Sequence, residues 1–289
     1  MLAVLLALAA AAGYGGSDFA AGLATRRASV VRVTVLAEVT SATLLLCVIP
    51  FVSSQAPSLA SVLWGAAAGA SGVAGAMALY LGFRHAAFSV ASSVSAVGTA
   101  AFSVLAGLAL GERPGALSLA GILLAVPAIV GVSAPARQAS RDLEHAATGR
   151  HAAGVGLGLA AGAGFGLFFI GLDQAGSGTD LWPIAVSQLT ALVTVTGIAV
   201  VTRDLGLPPP GTRRLGLLAG AAGATGTALF FLATHHGLLA ITAVITSLYP
   251  AGTILLARVL LGERLTPLRI AGLCFAGASV ALIAGGGAG

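Results

Sequence analysis

The sequence predicts an all-α membrane protein of ten transmembrane helices, arranged as two inverted five-helix repeats. Three observations predict it. The chain is 57% hydrophobic and 8% charged, with a mean hydropathy of +1.01. A soluble domain carries about 25% charged residues, so too little polar surface remains here to cover a water-soluble body. Successive apolar stretches are each long enough to cross a bilayer, which takes about 20 residues of helix. Finally, the chain repeats itself at an offset of 151 residues: Gly111-Glu112-Arg113 reads again as Gly262-Glu263-Arg264, and Ala120-Gly121 as Ala271-Gly272. A repeat with an odd number of spans must insert upside down relative to its twin, which is the architecture of a secondary transporter.

The first span covers residues 2–23. Its apolar run and alanine-rich end are like those of a signal peptide, but no basic residue precedes the run. It also pairs with 153–174 in the repeat, so it is expected to stay. Spans 30–52, 60–82, 87–110 and 116–134 complete the first repeat, 1–134. A polar segment, 135–151, is the expected linker. The second repeat, 152–289, holds spans 152–173, 182–202, 214–235, 239–261 and 267–286. Small residues let helices approach closely in lipid, where burial gains little. Gly65, Gly69, Gly72 and Gly75 in the third span are read as such packing positions. So are Gly156, Gly158, Gly162, Gly164 and Gly166 in the sixth. Cys47 and Cys274 lie inside spans and read as buried apolar filler.

Charge excludes several functions. There is no lysine among the 14 cations, so neither a phosphate-binding P-loop nor a Schiff-base cofactor site can be built, and no cofactor is expected. The five histidines show no metal-ligand spacing, and His235-His236 read as span-end residues. The intramembrane enzyme signatures His-Glu-x-x-His, Gly-x-Gly-Asp and Asp-Gly-x-x-Ala-Arg are absent, so an enzyme is not expected. The arginines punctuate short loops rather than forming a basic patch, which speaks against nucleic acid. Arg26, Arg27, Arg84, Arg137, Arg141, Arg150, Arg203, Arg213, Arg214 and Arg264 follow odd-numbered spans, against Arg113 alone after even-numbered ones. The positive-inside rule then places both termini outside the cell membrane.

Asp18 and Glu38 are the carboxylates set most clearly within spans. A charge at mid-bilayer costs at least about 2.5 kcal/mol. Two readings are open. One carboxylate pairs with Arg32 and locks spans 1 and 2 together, or one takes up and releases a proton to drive transport. Tyr14, Ser17 and Asp18 share a helical face at i, i+3, i+4, and their repeat partners are Phe165, Phe168 and Phe169. One structural position is thus polar in one half and aromatic in the other, as an asymmetric ligand requires; aromatic gap-filling is the structural alternative. Thr242, Thr246, Tyr249 and Thr253 form a polar stripe on the ninth span; its fourth-span equivalents are Ala91, Ser95, Gly98 and Phe102, with Ser92 and Thr99 close by. Pro250, near mid-span, frees a carbonyl in the preceding turn, which needs a partner or a cavity. Tyr80 and its partner Phe231 are expected to add aromatic walls. Glu112 and Glu263 are read as structural, near helix N-termini where the dipole favours a carboxylate.

These motifs resemble the EamA family of the drug/metabolite transporter superfamily. The resemblance rests on Leu-Gly-Glu-Arg after the fourth span of each half, on Ser247-Leu248-Tyr249-Pro250 through Arg264, and on Tyr14-Gly15-Gly16-Ser17-Asp18-Phe19. It implies export or exchange of small metabolites, amino acids among them, through a cavity lined by spans 1, 3, 4, 6, 8 and 9. Many members carry a basic cluster between spans 2 and 3, where Ser53-Ser54-Gln55-Ala56-Pro57-Ser58 is uncharged here; orientation is therefore read from this chain's own arginines. The expected substrate-binding residues are Tyr14, Ser17, Asp18, Tyr80, Ser92, Ser95, Phe165, Phe169, Phe231, Thr246 and Tyr249. Asp18 and Glu38 are the proton-coupling candidates. The expected partners are a small-molecule substrate, the lipid bilayer and protons. The rival function is a membrane sensor or subunit that binds a small ligand without transporting it.

Overall fold

A computed structural model describes residues 1–48, 57–85, 88–133, 147–176, 181–262 and 265–286. The helices are α1 (Leu2–Thr25), α2 (Val30–Val48), α3 (Leu59–His85), α4 (Phe88–Ala109), α5 (Ala116–Val132), α6 (Ala147–Gln174), α7 (Trp182–Val201), α8 (Pro210–Thr234), α9 (Leu239–Thr246), α10 (Tyr249–Leu261) and α11 (Pro267–Gly285). Among the described residues no strand occurs. Nine stretches are long and apolar enough to cross a membrane, counting Leu239–Leu260 as one, and Ala116–Val132 is a shorter apolar helix. The ten-helix all-α layout predicted from the sequence is therefore the one observed. The expected linker lies outside the described residues over 135–146, and 147–151 open α6. The tail of the second span, 49–52, also lies outside them.

The ninth span differs from expectation. Pro250 does not kink a continuous helix; it occupies the first turn of α10, where its missing N–H costs nothing. The chain breaks at Ser247–Leu248 between two helices. This broken span is the most enclosed in the bundle.

Contacts between the halves exchange when the halves are exchanged. Helix α1 packs on α8 as α6 packs on α3, and α3 packs on α7 as α8 packs on α2. Helices α5 and α11, which are repeat partners, pack on each other. The glycines show the same exchange atom by atom. A Cβ on Gly69 would lie 2.1 Å from the Ser187 carbonyl oxygen, and one on Gly220, its repeat partner, 2.3 Å from that of Ala37. Gly72 would meet the Phe168 ring where Gly223 would meet the Ser17 hydroxyl. Gly75 would meet Phe165 where Gly226 would meet the ring of Tyr14. So α3 and α8 each present a glycine groove, and α6 and α1 lay their side chains into it.

The repeated Leu-Gly-Glu-Arg also has a physical account. Gly111 and Gly262 adopt positive φ, 96° and 66°, with nothing within 4 Å of a would-be Cβ. Glycine is needed there for the backbone turn, not for space. Glu112 then reaches across to the other half. Its carboxylate accepts from the backbone N–H groups of Leu239 at 2.5 Å and Ala240 at 2.9 Å. It thereby satisfies two orphan donors at the start of α9 and sits favourably in the helix dipole. Glu263 and Arg264 lie outside the described residues.

The cysteines correct an expectation. Cys47 and Cys274 are free and exposed on the outer surface of the bundle. In a membrane an apolar thiol faces lipid as readily as a core.

Candidate functional site

A cavity lies between the halves. Its walls come from α1, α2, α3, α4, α6, α7 and α8, with Tyr249 from the start of α10. The family resemblance implied spans 1, 3, 4, 6, 8 and 9; spans 2 and 7 are additional. All six residues of the repeat-related faces line it: Tyr14, Ser17 and Asp18 from α1, and Phe165, Phe168 and Phe169 from α6. The polar and aromatic faces thus meet across one space, with Tyr14 and Phe169 ring centroids 6.0 Å apart. Phe169 also stacks on Phe230 at 3.9 Å, which fixes the aromatic wall from behind.

Of the expected binding residues, Tyr14, Ser17, Asp18, Tyr80, Phe165, Phe169 and Tyr249 line the cavity, as does Glu38. Ser92, Ser95, Phe231 and Thr246 do not. Ser95 is buried beside the cavity and accepts from the Tyr249 hydroxyl at 3.3 Å, so it positions that tyrosine. Ser92 is buried in packing. Phe231 lies toward the far end of α8, its ring 4.3 Å from that of His235, so α8 brings no aromatic wall to the cavity; it supplies Ala219, Gly220, Gly223 and Thr227. The threonine stripe is used for packing. Thr246 donates to the Ala7 carbonyl at 3.4 Å and Thr253 to that of Gly15 at 3.0 Å, both on α1, while Thr242 bonds back to Leu238 at 3.0 Å. Hydroxyls in apolar helices commonly satisfy themselves on nearby carbonyls.

Spans 2 and 7 contribute polar residues that the motifs did not mark. Gln188 donates to the Ser41 hydroxyl across the cavity wall, and Thr227 accepts from the Tyr14 hydroxyl at 3.2 Å. Ser187 lines the cavity, and its hydroxyl is fully buried with no partner among the described residues. A lone glutamine in the apolar run 182–202 was the available signal for this wall.

The carboxylates are not paired with Arg32. The Arg32 Nε donates to Asp204 Oδ1 at 2.6 Å, and Asp204 also accepts from Ser29. This tie joins α2 to the loop after α7. Asp18 is only 8% exposed, and among the described residues neither it nor Glu38 is in an ion pair. Both sit about two turns from the helix ends at Thr25 and Val30, the end of the bundle that carries Arg26, Arg27, Arg203 and Arg213. The opposite end is tied by Glu112 on α9, by Ser61 donating to Ala175 at 2.7 Å, and by the His235 ring. The latter places its two nitrogens 2.7 Å from the carbonyls of Phe231 and Gly176.

The hydrogen bond from Ser29 and the Arg32 guanidinium hold the Asp204 carboxyl below its usual range. A depressed value means that the tie contributes in full above roughly pH 4 and is lost as pH falls through the lowered value. Asp204→Asn is expected to lower stability at pH 7 by less than about 1 kcal/mol, as for a solvent-screened pair. The difference from the parent in thermal unfolding should shrink as pH falls through the lowered value.

The model of the EamA-like transporter family matches residues 152–285. This half is similar to the EamA-like transporter family. It contains the aromatic wall, the broken ninth span and the α8 glycine groove, and the family lies within the drug/metabolite transporter superfamily. The EamA-like half and its partner repeat together follow the fold of a solved crystal structure, described only as that of a protein. That likeness has a TM-score of 0.72 at 15% identity and covers 97% of this chain and 95% of the other; it shows the fold alone. None of the curated proteins matches the chain. The nine membrane-length apolar stretches make this a multi-pass membrane protein, and its residues 152–285 are similar to transporters of the drug/metabolite superfamily.

Proposed function

We propose that the protein is a secondary transporter of small metabolites, amino acids or related compounds, moved out across the cell membrane by alternating access and coupled to protons. The observation that carries this reading is the central cavity, walled by repeat-related faces of both halves and holding two carboxylates without an ion-pair partner among the described residues. Contacts that exchange between the halves let one repeat rock on the other, exposing one midplane site to each side in turn. Glycine grooves suit that motion, because small residues leave few interlocking side chains to disengage. The arginine-bearing end is assigned to the cytoplasm by the positive-inside rule, which puts the carboxylates nearer the cytoplasm and both termini outside.

Counterflow tests it. Purified protein is placed in liposomes loaded with a mixed amino-acid and metabolite pool, and exchange is followed by mass spectrometry with and without a pH gradient. Selective exchange, accelerated by the gradient, is expected. No exchange by folded protein that still binds a pool component would sink the transporter reading and favour a ligand-binding sensor.

A further inference from the structure

We propose that the ligand of this cavity is an organic cation: an amine or quaternary ammonium on an apolar, preferably aromatic body, with no free carboxylate. This rests on the transporter reading only for the consequence of binding; the charge class follows from the walls. The lining contains two carboxylates, Asp18 and Glu38, and among the described residues no arginine or histidine. A zwitterionic amino acid would bring a carboxylate to a site that holds no cation for it. Burying such a charge unpaired costs several kcal/mol. An anionic metabolite would meet two like charges.

An ammonium supplies what the site lacks. Asp18 is buried without an ion-pair partner among the described residues, and a cation beside it gives its carboxylate a partner. The three tyrosines of the lining, Tyr14, Tyr80 and Tyr249, stand around the same space, and a desolvated cation is attracted to an aromatic face. The opposite wall is apolar. Phe165, Phe168 and Phe169 occupy the positions that Tyr14, Ser17 and Asp18 hold in the other repeat. A ligand charged at one end and aromatic at the other matches both walls in one orientation. The unpartnered Ser187 hydroxyl is a further hydrogen-bond group within the lining. Among compounds related to amino acids, the class selected is therefore the decarboxylated amines.

The test uses four probes built on similar aromatic bodies: phenethylamine, benzyltrimethylammonium, phenylalanine and 3-phenylpropanoate. Binding to the purified, detergent-solubilised full chain is measured by calorimetry. At least one of the two cations is expected to bind about tenfold or more tighter than phenylalanine, and the anion not at all. Asp18→Asn combined with Glu38→Gln is expected to weaken cation binding about tenfold or more, with an unchanged melting curve as the folding control. Should that pair unfold the protein, Asp18→Asn alone carries the measurement. Equal or tighter binding of the zwitterion or the anion, no binding of either cation, or cation binding indifferent to the substitutions overturns the proposal. Cation binding without flux in liposomes would sink the transporter reading and leave this one standing. Flux of the zwitterion or anion with no cation binding would do the reverse.

Discussion

Asp18→Asn is expected to reduce pH-gradient-driven transport about a hundredfold, toward the level of empty liposomes, while the protein remains folded. The expectation follows from position and charge together. Asp18 is buried on the polar wall of the cavity, with Ser17 and Tyr14 on the same face. Among the described residues no cation neutralises it, since Arg32 is held by Asp204. Asparagine keeps the shape and removes the charge, so packing of α1 on α8 is undisturbed. A charged partner removed from a desolvated pair costs about 2–5 kcal/mol, and roughly 3 kcal/mol is a hundredfold. Stability should hold, because the amide matches the carboxyl in size and polarity and no ion pair is lost among the described residues. Glu38→Gln, on α2 across the same space, is expected to give a partial loss. The measurement is initial uptake into proteoliposomes with and without an imposed pH gradient, beside a melting curve in detergent. Transport by Asp18→Asn equal to the parent at every pH would remove Asp18 from the mechanism and leave it a packing residue.

The sequence carried the architecture well because lipid imposes strong constraints on composition and length. Each span is apolar enough to read directly, and the 151-residue offset aligns Tyr14 with Phe165 and Gly111 with Gly262. That offset also places the two walls of the cavity in register. What it could not give was how hydroxyls divide between packing and cavity. Thr242, Thr246 and Thr253 have the spacing of a pore-lining stripe, yet each donates to a carbonyl of α1 or of its own helix. In an apolar helix both arrangements use the same residues at the same spacing. Ser41, Ser187 and Gln188 were missed for the converse reason. The repeat partners of Ser187 and Gln188 are the apolar Leu36 and Ala37, so no repeated pattern marked them. The pairing of Arg32 with Asp204 was also out of reach. Sequence proximity favoured Asp18 and Glu38, whereas the fold brings in a loop 172 residues away.

Gly69→Ala is expected to lower the melting temperature and slow transport, whereas Gly197→Ala should do neither. Both changes add one methyl group. At Gly69 that methyl would sit 2.1 Å from the Ser187 carbonyl oxygen and 3.0 Å from the Ala191 nitrogen. Both are backbone atoms of α7, so no rotamer change can make room, and α3 must move away from α7. Overpacking of this kind costs about 1–3 kcal/mol, and the separation also forfeits dispersion contacts along the whole interface. Gly69 and Ser187 both line the cavity, so the shift widens the site as well as weakening the bundle. At Gly197, on α7 itself, nothing lies within 4 Å of the added methyl. Alanine there is the better helix former by up to about 1 kcal/mol, so stability should hold or rise. Gly220→Ala, the repeat partner of Gly69, faces the Ala37 carbonyl oxygen at 2.3 Å on the other side of the cavity and should behave like Gly69→Ala. Matching losses at Gly69 and Gly220 would show that both glycine grooves are closed by backbone contact. A Gly69→Ala protein that melts and transports like its parent would mean that α3 and α7 do not approach this closely, and the close-packed sliding interface would have to be given up.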